Sequence, residues 1–113
     1  MWRDDATLLD ILRAARLVLD FRGQLDRTSF LNDIKTQAAV LHELLVLGEA
    51  AKRLSPGFRE KHPDVPWKSI AGMRDRLLHA YDNVDLELVW KTIDEDLPAL
   101  VTRLEGLAPR QDS

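Results

Sequence analysis

A chain of 113 residues, 45% hydrophobic and 31% charged, has the length and composition of one folded domain, and too few Gly and Pro for extensive disorder. It has no cysteine, which excludes a disulfide framework and a thiolate zinc site, and His42, His62 and His79 are too far apart for a local metal motif. The net charge of -3 is unevenly spread: from Lys52 to Arg76 seven bases stand against three acids, enough to hold a phosphate chain locally or to serve as ordinary solvated surface.

The N-terminus carries Asp4 and Asp5 where a secretory signal would carry positive charge, and no stretch nears the ~20 apolar residues of a membrane span. A soluble, cytoplasmic protein is expected, with residues 1–105 forming a single helical domain and 106–113 a frayed tail.

The first helix is predicted over Asp5–Arg22, where Leu8, Ile11, Leu12, Ala15, Val18 and Leu19 form one apolar stripe that Gly23 ends. The second opens near Thr28 or Ser29, either of which can cap it, and runs to Leu54, where Ser55-Pro56-Gly57 breaks it. It is apolar on two stripes, Ile34-Ala38-Leu41-Leu45-Gly48 and Val40-Leu44-Leu47-Ala51-Leu54. So broad an apolar surface belongs to a central helix or to a subunit interface. Residues 55–66 read as a connector with one short helical turn, since His62-Pro63 and Val65-Pro66 disfavour helix.

Pro66 suits the first turn of a third helix that carries Trp67, Ile70, Met73 and Leu77 inward. Asp82-Asn83 is a break and Asp85 a cap for the last helix, which buries Val89, Trp90, Ile93, Leu97, Leu100, Val101 and Leu104. Pro98 is expected to kink it, having no N–H to give to residue 94. No strand alternation or internal repeat is evident. The expected fold is all-α: an up-and-down bundle of four main helices plus a short connector helix.

The chemistry concentrates in M-R-D-R-L-L-H-A-Y-D-N. Arg74 offers an always-charged fork of donors for a phosphate and its transition state, and His79 can move a proton near neutral pH. Together they can cleave RNA without metal, and Tyr81, the sole tyrosine, adds a hydroxyl that can touch RNA or be modified. In a continuous helix Arg74 and Tyr81 nearly align, while His79 lies about 140° away from Arg74. Either the helix breaks before His79, or a second copy of the chain completes the site. Alone, an Arg five residues before a His is a commonplace coincidence; the sole Tyr two residues later makes it rarer.

The pattern Arg74-DRLL-His79-A-Tyr81 resembles the signature of the HepT-like toxins of the HEPN superfamily. T-Q-A-A-V at 36–40, G-E-A-A-K-R-L at 48–54, V-P-W-K-S-I-A-G-M-R at 65–74 and V-D-L-E-L-V-W at 84–90 resemble that family in the same order, over roughly residues 5–105. The resemblance implies a HEPN-like homodimer, the toxin of a type VII toxin–antitoxin system, acting as a metal-independent endoribonuclease on tRNA or mRNA. Arg74 and His79 would be catalytic, with Tyr81, Arg76, Asp75 and Lys68 auxiliary on the RNA. It also implies an MntA-like nucleotidyltransferase antitoxin that adenylylates Tyr81. The ATP and Mg²⁺ belong to that partner, and the chain itself needs no cofactor. One departure is Asp75, where HepT-like chains often carry Asn: a carboxylate there repels phosphate unless turned away or paired, for example with Arg76.

Other candidates read as structure. Trp2, Trp67 and Trp90 suit the core better than base stacking, Asp94-Glu95-Asp96 a solvated face better than a metal site, and His42 and Glu43 a surface or interface. The alternative function is a non-catalytic HEPN-type module that binds a nucleotide or a partner, or a plain dimeric adaptor.

Overall fold

The computed structural model describes residues 2–79 and 83–108; for residues 2, 74, 78, 79 and 83 it describes the backbone alone. Helix α1 (Trp2–Arg22) begins three residues earlier than expected and ends as predicted. Gly23 adopts a left-handed φ of 55°, and its N–H returns to the Leu19 carbonyl at 3.0 Å. The predicted stripe is the buried face: Leu8, Ile11, Ala15 and Val18 are fully buried against α3.

The second helix is not continuous. It divides into α2 (Arg27–Leu31) and α3 (Ile34–Lys52), and neither Thr28 nor Ser29 is the cap. Asp26 accepts the Ser29 N–H and caps α2, and Asp33 accepts the Thr36 N–H and starts α3 anew. An Asp side chain competes with the helical backbone for its donors, so an internal Asp becomes a boundary. These N–H groups hold both carboxyls below the usual carboxylate range. Restarting the helix turns Ile34 outward, 79% exposed, whereas Val40, Leu44, Leu47 and Ala51 are fully buried.

The connector contains α4 (Pro56–Lys61), the expected short helical turn, capped by Ser55. The third helix is interrupted at Gly72 into α5 (Trp67–Ala71) and α6 (Met73–Leu77), glycine being the weakest helix former after proline. Trp67, Ile70, Met73 and Leu77 all point inward, as predicted. Two residues on each side then pair as antiparallel strands, β1 (Leu78–His79) with β2 (Asn83–Val84), an element absent from the sequence reading.

The last helix is α7 (Leu86–Lys91), a π-helical turn (Thr92–Asp96) and α8 (Leu97–Leu107). Asp85 caps it. The wide turn, closed by the Leu97 N–H on the Thr92 carbonyl, leaves Pro98 in the first turn of α8, where the helix asks for no donor. The irregularity therefore precedes Pro98. Helix α8 also extends past the expected tail boundary at 106, and residues 109–113 lie outside the described ones. The architecture is an all-α bundle with α1, α3 and α8 around one core. Among the described residues no helix is long and apolar enough to cross a membrane.

Candidate ribonuclease site

The site is built from the connector upward. Trp67 anchors α5: it is 5% exposed, its indole N–H donates to the His62 carbonyl at 2.9 Å, and Phe58 meets its ring edge-on at 5.9 Å. Helices α5 and α6 lie close to α3 because Gly48 has no side chain, and a Cβ there would stand 3.2 Å from the Ile70 carbonyl oxygen. Arg74 is therefore carried on a short helix pinned on either side of it in sequence by the buried Met73 and Leu77.

After Leu77 the helix stops, so His79 is not on it. His79 stands in β1 opposite Asn83, and the Asp85 N–H donates to the Leu77 carbonyl at 3.1 Å to close the base of the loop. The helix thus breaks before His79. The side chains of Arg74 and His79, and all of Tyr81, lie outside the described residues.

Three of the four expected auxiliary residues are described. Lys68, Asp75 and Arg76 are exposed. The Arg76 guanidinium donates to the Ser69 carbonyl at 3.1 Å and forms no ion pair with Asp75 among the described residues. The neighbouring bases are partly consumed by the fold. Lys52 meets Glu49 at 3.3 Å, Arg53 meets Asp10 at 3.8 Å, and Arg59 donates to the Ala51 and Lys52 carbonyls at 2.9 and 3.1 Å, closing the end of α3.

Beside α6 runs a groove of about 350 Å³ whose walls include Ile70, Met73, Arg76, Glu95, Leu100 and Arg103. Arg103, held by the Asp64 carbonyl, was not a sequence candidate; nothing local links it to a motif 29 residues away in the chain. The acidic run is exposed as expected, with Asp94 on Arg22 at 2.9 Å. Trp67 is core and Trp90 half-buried between Phe30 and the Arg22 guanidinium, while the Trp2 side chain lies outside the described residues. His42 is exposed, 3.8 Å from Glu43. Among the described residues no group of three or more His, Asp or Glu stands together to hold a metal ion.

A family model described as "Ribonuclease HepT-like" matches residues 11–107. The Thermococcus cleftensis protein named "Probable ribonuclease HepT" is 43% identical over 100 residues, 88% of this chain and 91% of that one. A candidate RNase of Methanocaldococcus jannaschii is 39% identical over 100 residues, 88% of this chain and 92% of its own. One from Caldanaerobacter subterraneus is 35% identical over 101 residues, 89% and 90%. No solved structure matches. With a helical, HEPN-like bundle in place, the chain belongs to the HepT-like ribonuclease family.

Proposed function

We propose that the chain is a metal-independent endoribonuclease and the toxin of a type VII toxin–antitoxin pair, working in the cytoplasm as a homodimer. The observation that carries this reading is the end of α6 at Leu77, which takes His79 off the helix of Arg74 and into a closed loop. That break removes the 140° offset a continuous helix would impose, which supports a site that uses both residues. Family membership supplies the substrate class, RNA.

In this mechanism Arg74 neutralises the charge that grows on the phosphoryl oxygens, and His79 moves the protons. The ribose 2′-oxygen attacks phosphorus as its proton leaves, the P–O5′ bond breaks, and the departing oxygen takes a proton. The products are a 2′,3′-cyclic phosphate and a 5′-hydroxyl. Base and acid are two jobs, and a homodimer brings two copies of His79. Lys68 and Arg76 contact flanking phosphates. Tyr81 is the site at which an MntA-like nucleotidyltransferase adds adenylyl groups.

The test is cleavage of tRNA and mRNA in excess EDTA by wild type, Arg74→Ala and His79→Ala. Each variant should lose about 10²–10⁴-fold in rate while keeping its helicity. Arg74→Lys should also be poor, because a point charge does not reproduce the planar fork. Cleavage that persists in the double variant removes the activity from this motif. Asp75 favours a second reading, a HEPN-type module without catalysis: its exposed carboxylate follows Arg74 directly and has no ion-pair partner among the described residues. An inert wild-type protein with Tyr81 unmodified decides for that module.

A further inference from the structure

Asp85 occupies a position that neither a helix cap nor a loop closure alone explains. Its carboxylate accepts the Leu88 N–H at 3.0 Å and starts α7. Its own N–H donates to the Leu77 carbonyl at 3.1 Å, across seven intervening residues, and so satisfies an acceptor at the end of α6. Both ends of this tie are fixed in the core: Leu77 is fully buried, and Val89, one turn into α7, is 1% exposed. Between them lie β1, β2 and the residues that join them, with His79 paired to Asn83 two positions before Asp85. One residue thus joins the end of the Arg74 helix to the start of the next and closes the segment bearing His79 and Tyr81.

We propose that Asp85 is a positioning residue for the reaction, holding His79 at a fixed place relative to Arg74 through this double tie. The proposal rests on the ribonuclease reading for its catalytic consequence but not for its structural one. Losing the carboxylate loosens the first turn of α7, and with it the backbone N–H that closes the loop. His79 then samples several placements, whereas the core contacts of α6 and α7 remain. Since a displacement of about 1 Å in a reacting group can cost ~10²-fold, the effect belongs in kcat.

The variants are Asp85→Ala, Asp85→Asn and Asp85→Ser in the full chain. Asn and Ser cap a helix about as well as Asp, so both should preserve the tie without the charge. Asp85→Ala should lower kcat about 10–100-fold with KM nearly unchanged and far-ultraviolet circular dichroism retained, and Asn or Ser should restore most of it. Independently of activity, the His79 imidazole resonances should be single in wild type and in Asp85→Asn, and broadened or doubled in Asp85→Ala. Unchanged His79 resonances in Asp85→Ala overturn the assignment. So does failure of Asn to rescue, which would make the charge itself the agent. A wild type that cleaves nothing but shows the expected resonance pattern upholds the tie and overturns the ribonuclease reading instead.

Discussion

Asp4, buried near the start of α1, is bonded twice to Ser55: its carboxylate accepts the Ser55 hydroxyl at 2.6 Å and the Ser55 N–H at 2.9 Å. The same hydroxyl accepts the Phe58 N–H at 3.1 Å, so the relay ties the first helix to the cap of α4. The connector that seats Trp67, and through it α5, is thereby fastened to the N-terminal helix.

The first prediction concerns acid. The Ser55 hydroxyl, and then its N–H, hold the Asp4 carboxyl below the ordinary range. A carboxyl lowered by folding contributes stability that is complete above its unfolded pKa of about 3.9 and lost as pH falls through the lower folded value. Asp4→Ala should therefore lower the melting temperature at pH 7, and its deficit relative to wild type should shrink as the pH falls below about 4. A deficit of the same size at pH 7 and in strong acid would count against a role for the ionised Asp4 carboxylate.

The second concerns Gly48. Alanine there gains about 0.8–1.0 kcal/mol in helix propensity but must displace the Ile70 carbonyl by a few tenths of an ångström, so the net change should be small. Gly48→Val adds branched bulk at the same close approach and should cost about 1–3 kcal/mol in urea unfolding. Because α5 leads directly into the Arg74 helix, Gly48→Val should also slow cleavage in the folded fraction. A Val variant as stable as wild type would mean that α5 yields freely.

The inward faces of α1 and α3 are legible in the sequence, because burial follows a 3.6-residue period that Leu8–Ile11–Ala15–Val18 and Val40–Leu44–Leu47–Ala51 display directly, whereas Trp90, expected in the core, is half-buried. Interruptions were harder. The capping oxygen of Asp33 binds an N–H three residues ahead, yet Phe30, Leu31 and Ile34 keep helical spacing across it, and period alone gives one helix from Thr28 or Ser29 where there are two. Pro98 predicts a kink at its own position, whereas the chain widens before it. At the site, the motif was local and therefore visible. The β1–β2 pair was too short to show alternation, and Arg103 reaches the groove through tertiary packing alone.

The third prediction concerns assembly. Ile34, Ala38, Leu41 and Leu45 lie at spacings of four, three and four on one face of α3. Ile34 and Ala38 are exposed, and Leu41 and Leu45 half-buried, so this face is available to a second copy. Light scattering should give a dimer for wild type. Ile34→Glu with Ala38→Glu should give a monomer of unchanged helicity, since exposed positions contribute within about 0.5 kcal/mol to the monomer's own stability. That monomer should also lose most of its cleavage. A double variant that remains dimeric moves the interface elsewhere.

The last prediction concerns control of the site through Tyr81. This residue follows His79 by two positions, in the segment between β1 and β2, so any group attached to it is tethered within a few residues of His79. Transfer of an adenylyl group forms a bond from the tyrosine oxygen to the α-phosphorus of ATP and releases pyrophosphate. On Tyr81 it would leave a phosphodiester and a nucleoside, which are expected to compete with RNA phosphate for Arg74. The added negative charge is expected to compete for the Arg74 guanidinium, and the added bulk to obstruct RNA. Incubation with an MntA-like nucleotidyltransferase, ATP and Mg²⁺ should add whole AMP units by mass spectrometry, with the first mapped to Tyr81. Cleavage should fall in proportion to the modified fraction. Tyr81→Phe should take up no AMP and stay active in the presence of the transferase, while Arg74→Ala should be modified as readily as wild type because the arginine takes no part in the transfer. Modification of Tyr81→Phe to the wild-type extent, or full cleavage by the adenylylated protein, would separate the tyrosine from control of the site.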